Sequence, residues 1–291
     1  MFAVPIAQVS LIDADRQWIK SSAGWPPLHS PRAVSFCSHA ILGADVFHVS
    51  DAQADARFAD NPLVTGDPRI RFYAGCPLRV EGHNLGALCL IDRQPRAFTE
   101  EERNLLVDLA RMVEEELAAE HRAASDELTG LANRRGFESF ARHVLGISKR
   151  VAMPLTLVYF DLDEFKSIND RFGHGEGDRA LKIFARVLST TIRESDFAAR
   201  LGGDEFVVLL TNSAAATAHR VIAALHEVLQ EAGRHAEIPY PIRCSAGVVE
   251  FDGARHAVAD DLLREADAAM YRNKITQRTM PGSSVFPTPM L

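Results

Sequence analysis

The sequence predicts an α/β (α+β) protein of two domains, an antiparallel-sheet domain followed by a central mixed sheet flanked by helices, with one long helix joining them. Three observations predict it. The chain has 291 residues, 47% of them hydrophobic and 24% charged, an ordinary globular composition at a length where a single core has usually stopped growing. Up to residue 98, short strand patterns alternate with turns rich in Gly, Pro and Asp; from 126 onward, apolar runs alternate with amphipathic ones. Between them lies a charged stretch with a single apolar stripe.

In the first part the clearest strands are Ile6 to Ile12 and Leu85 to Ile91. Thr99 followed by Glu100, Glu101 and Glu102 is a helix start, with acidic groups facing the positive end of the helix dipole. Leu105, Leu106, Leu109, Met112, Val113 and Leu117 then recur at helical spacing, giving a stripe that must pack on its own domain or on a second copy. In the second part, Arg135 to Leu145 reads as helix and Leu155 to Phe160 as a strand buried on both faces. Asp178 to Ile192 reads as an amphipathic helix. Phe197 to Leu201 and Phe206 to Leu210 read as a hairpin around Gly202-Gly203-Asp204-Glu205. Ala214 to Ala232 (helix), Ile242 to Glu250 (strand) and Ala259 to Ile275 (helix) complete the pattern. The Pro- and Ser-rich tail, 280–291, is expected to be disordered.

Net charge is −7 with Lys and Arg scattered, which argues against duplex nucleic acid as the main partner. Cys37, Cys76, Cys89 and Cys244 show no metal-ligand spacing and read as buried thiols of a reducing compartment. No apolar run reaches membrane-spanning length and no secretory leader opens the chain, so no membrane contact and a cytoplasmic location are expected.

The chemistry concentrates in the second part. Asp161 and Asp163 follow the apolar strand, where α/β sheets place ligands. A hairpin beside that strand would add Asp204 and Glu205. Clustered carboxylates repel unless protonated or bridged by a cation, and Mg²⁺ suits a few carboxylates plus phosphate and water. Gly202 and Gly203 permit positive φ at the turn. A second glycine-rich stretch, Phe172 to Asp178, sits beside a helix start, and Lys166, Lys274 and Arg278 could offset phosphate charge. Each feature alone has a plainer reading: turn or cap residues, an ordinary hairpin, a solvated helix face. Together they leave a magnesium–nucleotide crevice and a set of unrelated turns as the two readings.

Six blocks in order bear on that choice: Asp126-Glu-Leu-Thr-Gly-Leu-Ala-Asn133-Arg134-Arg135; Asp161-Leu-Asp-Glu-Phe-Lys-Ser-Ile-Asn169-Asp170; Gly173-His174-Gly175-Glu-Gly177-Asp178; Arg200-Leu-Gly-Gly-Asp-Glu-Phe206; Ser245-Ala246-Gly247; and Asp267-Ala-Ala-Met-Tyr271-Arg-Asn-Lys274. Residues 126–279 closely resemble the GGDEF-domain diguanylate cyclases. The resemblance implies a nucleotidyltransferase that condenses two GTP into cyclic di-GMP with loss of two pyrophosphates, one GTP per domain, hence a homodimer. It implies Mg²⁺ (or Mn²⁺) held by Asp161, the Leu162 carbonyl and Asp204. Asp204 or Glu205 would complete the metal shell or take the proton, and Lys166 would assist catalysis. It implies guanine reading by Asn169 and Asp178, and substrate contacts from His174, Gly202, Gly203, Lys274 and Arg278. Where the family usually has Gly before that Arg, this chain has Gln277, which puts Arg278 in more doubt than Lys274. Arg193-Glu-Ser-Asp196 has the family's spacing for allosteric product inhibition by cyclic di-GMP; its plainer reading is a surface pair ending a helix.

The first part resembles GAF sensor domains found ahead of cyclases. Ser10 to Trp18, Phe36-Cys37-Ser-His39-Ala-Ile41, Asp55 to Pro62 and Arg71 to Gly75 carry that resemblance. It implies a small-ligand or signal sensor over 1–98 and names no ligand. Cys37 and His39 raise redox or metal sensing, although two side chains are too few for a metal site. The family's first helix is expected to be missing ahead of Ile6. Residues 99–125 would be a connecting signalling helix whose pairing sets whether two GTP sites meet. The alternative function is a catalytically silent domain that acts as a GTP or cyclic di-GMP receptor; a cyclase of different base specificity is a third, tested at Asn169 and Asp178. No phosphodiesterase segment is expected after 279.

Overall fold

A computed structural model describes residues 1–26 and 29–278, with the side chains of 277 and 278 outside the described set. The expected tail, 280–291, lies outside the described residues. Internal contacts divide the chain into two compact units, one running from Met1 to His121 and the other from Arg122 onward.

The first unit is a six-stranded sheet. Its elements in chain order are β1 (Ile6–Ile12), β2 (Arg16–Ala23), β3 (Ser30–Pro31), α1 (Phe36–Ala40), β4 (Phe47–Val49), α2 (Pro62–Thr65), β5 (Phe72–Val80), β6 (His83–Asp92) and α3 (Glu100–Ala124). The spatial order is β3-β2-β1-β6-β5-β4, antiparallel throughout, with Ile6 opposite Ile91. Strand alternation sorts side chains between two cores. Ile6, Tyr73, Cys89 and Ile91 pack with Phe36, Phe58 and Val64 on the face under α1 and α2. Phe72, Leu78 and Leu90 pack with Leu106 and Ala110 of α3 on the other.

Helix α3 starts as its sequence requires. The Thr99 hydroxyl accepts from the Glu102 amide at 3.2 Å, and the Glu102 carboxylate accepts from the Thr99 amide at 2.9 Å. This reciprocal pair satisfies two otherwise orphaned donors. Leu105, Leu109, Val113 and Leu117 pack on the first unit's own core as the stripe predicted. Met112 does not: it is 65% exposed, because the buried line runs through Leu106 and Ala110, and two residues beyond Ala110 a helix has turned some 200° away.

The second unit contains α4 (Arg134–Val151), β7 (Leu155–Leu162), α5 (Phe165–Phe172), α6 (His174–Thr191), β8 (Phe197–Gly202), β9 (Glu205–Thr211), α7 (Ala215–His235), β10 (Cys244–Glu250) and α8 (Ala259–Arg278). The sheet order is β10-β7-β9-β8, and these strands pair antiparallel. The parallel part of the expected mixed sheet is one isolated bridge, Ala132 to Ala199. Central β7 is buried on both faces. Val158, Phe160 and Leu162 meet Ile168, Phe184 and Leu225 from α5, α6 and α7. Leu155, Leu157 and Tyr159 meet Phe137 of α4 and Leu262, Ala266 and Met270 of α8. Phe184 lies 5.9 Å from Phe160 and 4.7 Å from Phe206, ring to ring. Such pairs contribute about 0.5–1.5 kcal/mol beyond burial.

Two elements depart from the sequence expectation. Helix α5 was not predicted; it is short, and its polar run Lys166, Ser167, Asn169, Asp170 hides the periodicity. Helix α6 begins at His174, not Asp178, so the glycine-rich stretch is its first turn, with Gly173 as N-cap.

Candidate active site

The site forms where β7 ends beside the β8–β9 turn. Gly202 (φ 152°) and Gly203 (φ 51°) make that turn, a geometry that a side chain with a Cβ would resist. Asp161 stands opposite Glu205 in the sheet register, and the Leu162 amide donates to the Asp204 carbonyl at 3.2 Å. Burial pushes the Asp204 carboxyl above the usual aspartate range, and the negative charge of Asp161 adds to the push.

Helix α8 brings the counter-charge. Lys274 forms an ion pair with Asp161, and the two side chains are 16% and 17% exposed. The reach depends on Gly247 of β10, where a Cβ would sit 2.2 Å from the Ala266 carbonyl oxygen and 2.3 Å from the Met270 nitrogen. Asn273 locks the approach by donating to the Ala246 carbonyl at 2.8 Å. Ser245-Ala246-Gly247 therefore lets α8 lie close enough for Lys274 to meet Asp161.

The turn is strapped from outside. Arg200 donates to both carboxylate oxygens of Asp126 at 3.0 and 3.1 Å, and to the Gly203 carbonyl from Nε and Nη2 at 3.0 and 2.8 Å. Thr129 donates to Asp126 through its amide (2.9 Å) and hydroxyl (2.6 Å). Burial raises the Asp126 carboxyl, but the bonds from Thr129 and Arg200 outweigh it and hold the group below its ordinary range. The first and fourth sequence blocks thus form one bracket. Sequence reasoning assigned neither Asp126 nor Arg200 a role, since nothing in their spacing reveals a pair 74 residues apart.

The four expected carboxylates take different partners. Asp161 and Asp204 stay together. Glu205, directly across from Asp161, also acts on the Tyr159 phenol, which burial and that carboxylate push well up. Asp163 accepts from the Ser245 hydroxyl at 2.7 Å. Among the described residues no group of three or more His, Cys, Asp or Glu side chains is gathered for a metal. Two mutually repelling carboxylates with the Leu162 carbonyl nevertheless offer the hard oxygen donors that Mg²⁺ takes when phosphate and water complete its shell. The residues present fit that ion.

The remaining predicted residues are placed as follows. Asn169 lies on α5 with its Oδ1 2.0 Å from where a Cβ at Gly177 would sit, so it touches the turn of α6 that carries Asp178. Lys166, His174 and Asp178 are exposed on α5 and α6. The Arg278 side chain lies outside the described residues. Asp196 accepts from the Arg193 amide (3.1 Å) and the Thr211 amide (3.0 Å), and Arg193 is exposed. A cavity of about 700 Å³ between α7 and residues 238–244 is lined by Asp163 and by none of the other predicted site residues. In the first unit His39 packs edge-on against Phe58, ring centroids 4.9 Å apart.

A carboxylate pair with a lysine counter-charge, on a tight turn of an antiparallel sheet layered with helices, defines the class. Comparison with known proteins sets the family. The family described as "Diguanylate cyclase, GGDEF domain" matches residues 123–280, and the GAF domain matches residues 2–117. The chain belongs to the GGDEF diguanylate cyclase family and carries a GAF domain ahead of it. A cyclic di-GMP phosphodiesterase of Pseudomonas aeruginosa is 50% identical over 139 residues, 46% of this chain and 23% of that protein. The diguanylate cyclase DgcP of the same organism is 32% identical over 212 residues, 68% of this chain and 31% of DgcP. A diguanylate cyclase of Vibrio cholerae is 36% identical over 157 residues, 52% of this chain and 47% of that protein. The chain thus spans less than half the length of each of these curated relatives. The coiled coil and GGDEF domain of DgcB from Caulobacter crescentus, in complex with c-di-GMP, shares the fold: TM-score 0.54 at 24% identity, over 60% of this chain and 92% of that one. No described helix is long and apolar enough to cross a membrane.

Proposed function

We propose that this chain is itself a diguanylate cyclase, joining two GTP into cyclic di-GMP with release of two pyrophosphates. The observation that carries the reading is the Asp161–Asp204 pair on the strapped Gly202-Gly203 turn, with Lys274 beside it. Asp161, Asp204 and the Leu162 carbonyl would hold Mg²⁺ (or Mn²⁺). The ion, when bound, supplies polarisation of the α-phosphate and a lowered pKa of the attacking 3′-hydroxyl. Lys274 leaves Asp161 for the triphosphate as the site loads, and Lys166 approaches from α5 to offset pyrophosphate charge. Glu205, oriented by Tyr159, takes the hydroxyl proton or completes the shell. Asn169 and Asp178 read the guanine edge, and a base that leaves these polar groups unpaired is rejected. His174, Gly202 and Gly203 border the nucleotide. Two such sites must face each other, so the working form is a homodimer, with residues 99–125 as the signalling helix that sets the pairing. Arg193 and Asp196 are read as the feedback site for product.

The phosphodiesterase name belongs to a relative matched over less than a quarter of its length and does not alter this reading. The test is to incubate the chain with Mg²⁺ and GTP at several protein concentrations and identify products by mass spectrometry. Cyclic di-GMP formed at a rate per mole that rises with concentration is expected. No cyclic di-GMP at any concentration replaces the reading by that of a silent receptor.

A further inference from the structure

The first unit holds a cavity of about 300 Å³ with apolar and polar walls, among them Phe36, Ile70, Gln17 and His29, and with Cys37 and Tyr73 on its lining. Cys37 is the second residue of α1 and is buried. Its sulfur lies 3.7 Å from that of Cys89 on β6, which is also buried and does not line the cavity. Both thiols are free. The Cys37 sulfur also accepts from the Tyr73 hydroxyl at 3.2 Å and the Gln17 side-chain amide at 3.3 Å. The Cys37 thiol in turn donates to the Cys89 sulfur, so its sulfur is held between two donors and one acceptor.

Hydrogen-bond donors at a sulfur favour its thiolate, the form that reacts with peroxides. Cys89 lowers the Cys37 thiol, and the hydroxyls of Ser10, Tyr73 and Ser35 outweigh the opposing effect of burial. The other cysteines go the opposite way. Cys89 is raised by the same partnership, and burial raises Cys76 and Cys244.

We propose that Cys37 and Cys89 are a hydroperoxide-reactive pair, Cys37 the thiol that meets the oxidant in the cavity and Cys89 the one that resolves it into a disulfide. The Cys37 sulfur attacks the terminal oxygen of ROOH. The O–O bond breaks, ROH leaves with a proton, and Cys37 becomes a sulfenic acid. Cys89 sulfur then attacks Cys37 sulfur. The S–S bond forms and the hydroxyl departs as water with the Cys89 proton. The two thiols lose two electrons and the peroxide gains them. The sulfurs need to close from 3.7 Å to about 2.05 Å. The chemistry recognised is the hydroperoxide group, whether of hydrogen peroxide or an organic hydroperoxide.

The test uses the full chain, reduced, desalted and exposed in parallel to hydrogen peroxide or cumene hydroperoxide, then alkylated, digested and mapped by mass spectrometry. A Cys37–Cys89 disulfide is expected, forming about tenfold faster than any oxidation of Cys76 or Cys244. Cys89→Ser should accumulate a dimedone-reactive Cys37, and Tyr73→Phe should slow the reaction. The faster oxidant tells which hydroperoxide the cavity favours. Oxidation of Cys37 no faster than that of Cys76 in the unsubstituted chain overturns the proposal. So does oxidised Cys37 with no link to Cys89. Neither readout depends on cyclase activity.

Discussion

The two units put antiparallel sheets to opposite electrostatic uses. In the GAF unit the buried polar atoms around Cys37 are mutually satisfied inside the core on one face of the sheet. In the GGDEF unit the sheet ends in a conflict: Asp204 and Asp161 repel, and Lys274 and the Arg200 bracket hold the arrangement in place. The lesson is that a satisfied polar cluster adds to folding, whereas paired carboxylates on a tight turn carry a repulsion that only a counter-charge relieves.

The largest expected effect tests that repulsion. Asp204→Asn should cut cyclic di-GMP formation by about a thousandfold, the order lost when a preorganised electrostatic group is removed, while raising the melting temperature of the metal-free chain. The sign follows from the raised Asp204 carboxyl: its contribution to stability is present below the ordinary aspartate pKa and is lost as pH rises through the folded value. At neutral pH the charge is therefore a burden that the amide lifts. A lower melting temperature without divalent cation would break the comparison.

Next is the bracket. Arg200→Ala leaves the Asp126 carboxylate, 22% exposed against 12% for Arg200, without its charge partner. The loss should be about 2–3 kcal/mol, at the low end for a paired and largely buried charge. Asp126→Asn gives a pH signature. Because the Asp126 carboxyl is held below its ordinary range, its stabilisation is present above the ordinary aspartate pKa of about 3.9 and is lost as pH falls through the folded value. Acid unfolding followed by circular dichroism should be shallower below about pH 4 in the variant. An unchanged slope would assign the bracket no energetic weight.

The smallest effect lies in the GAF unit. Met112→Glu should change stability by less than about 0.5 kcal/mol, whereas Leu106→Ala, six residues earlier on the same helix, should cost about 2–5 kcal/mol. Denaturant titration separates the two.

Much of this was legible in the sequence. The Leu155–Phe160 run, the hairpin around Gly202 and Gly203, and the capped start at Thr99 each rest on local signals strong enough to survive tertiary context. The Asp161–Asp204 meeting followed from placing a hairpin beside a strand. What escaped were facts of distance and direction. Helix α5 is too short and polar to show a period. The first turn of α6 contains Gly175 and Gly177, which argue against helix unless one knows that Asn169 packs onto Gly177. That Glu205 neighbours Tyr159 is written in the register of β7 and β9, and that Arg200 reaches Asp126 in the bridge from Ala132 to Ala199, not in residue types.

The Asn133 side-chain amide donates to the Ala123 and Ser125 carbonyls at 2.9 Å each, and the Arg200 amide donates to the Ala132 carbonyl at 2.8 Å. With the hold of Arg200 on Gly203, these bonds clock the last turn of α3 to the active-site turn. The helix end is keyed, as a shaft is keyed to a gear. A residue inserted upstream of Arg122 would leave every one of these bonds intact, and with them the phase of the helix end they fix.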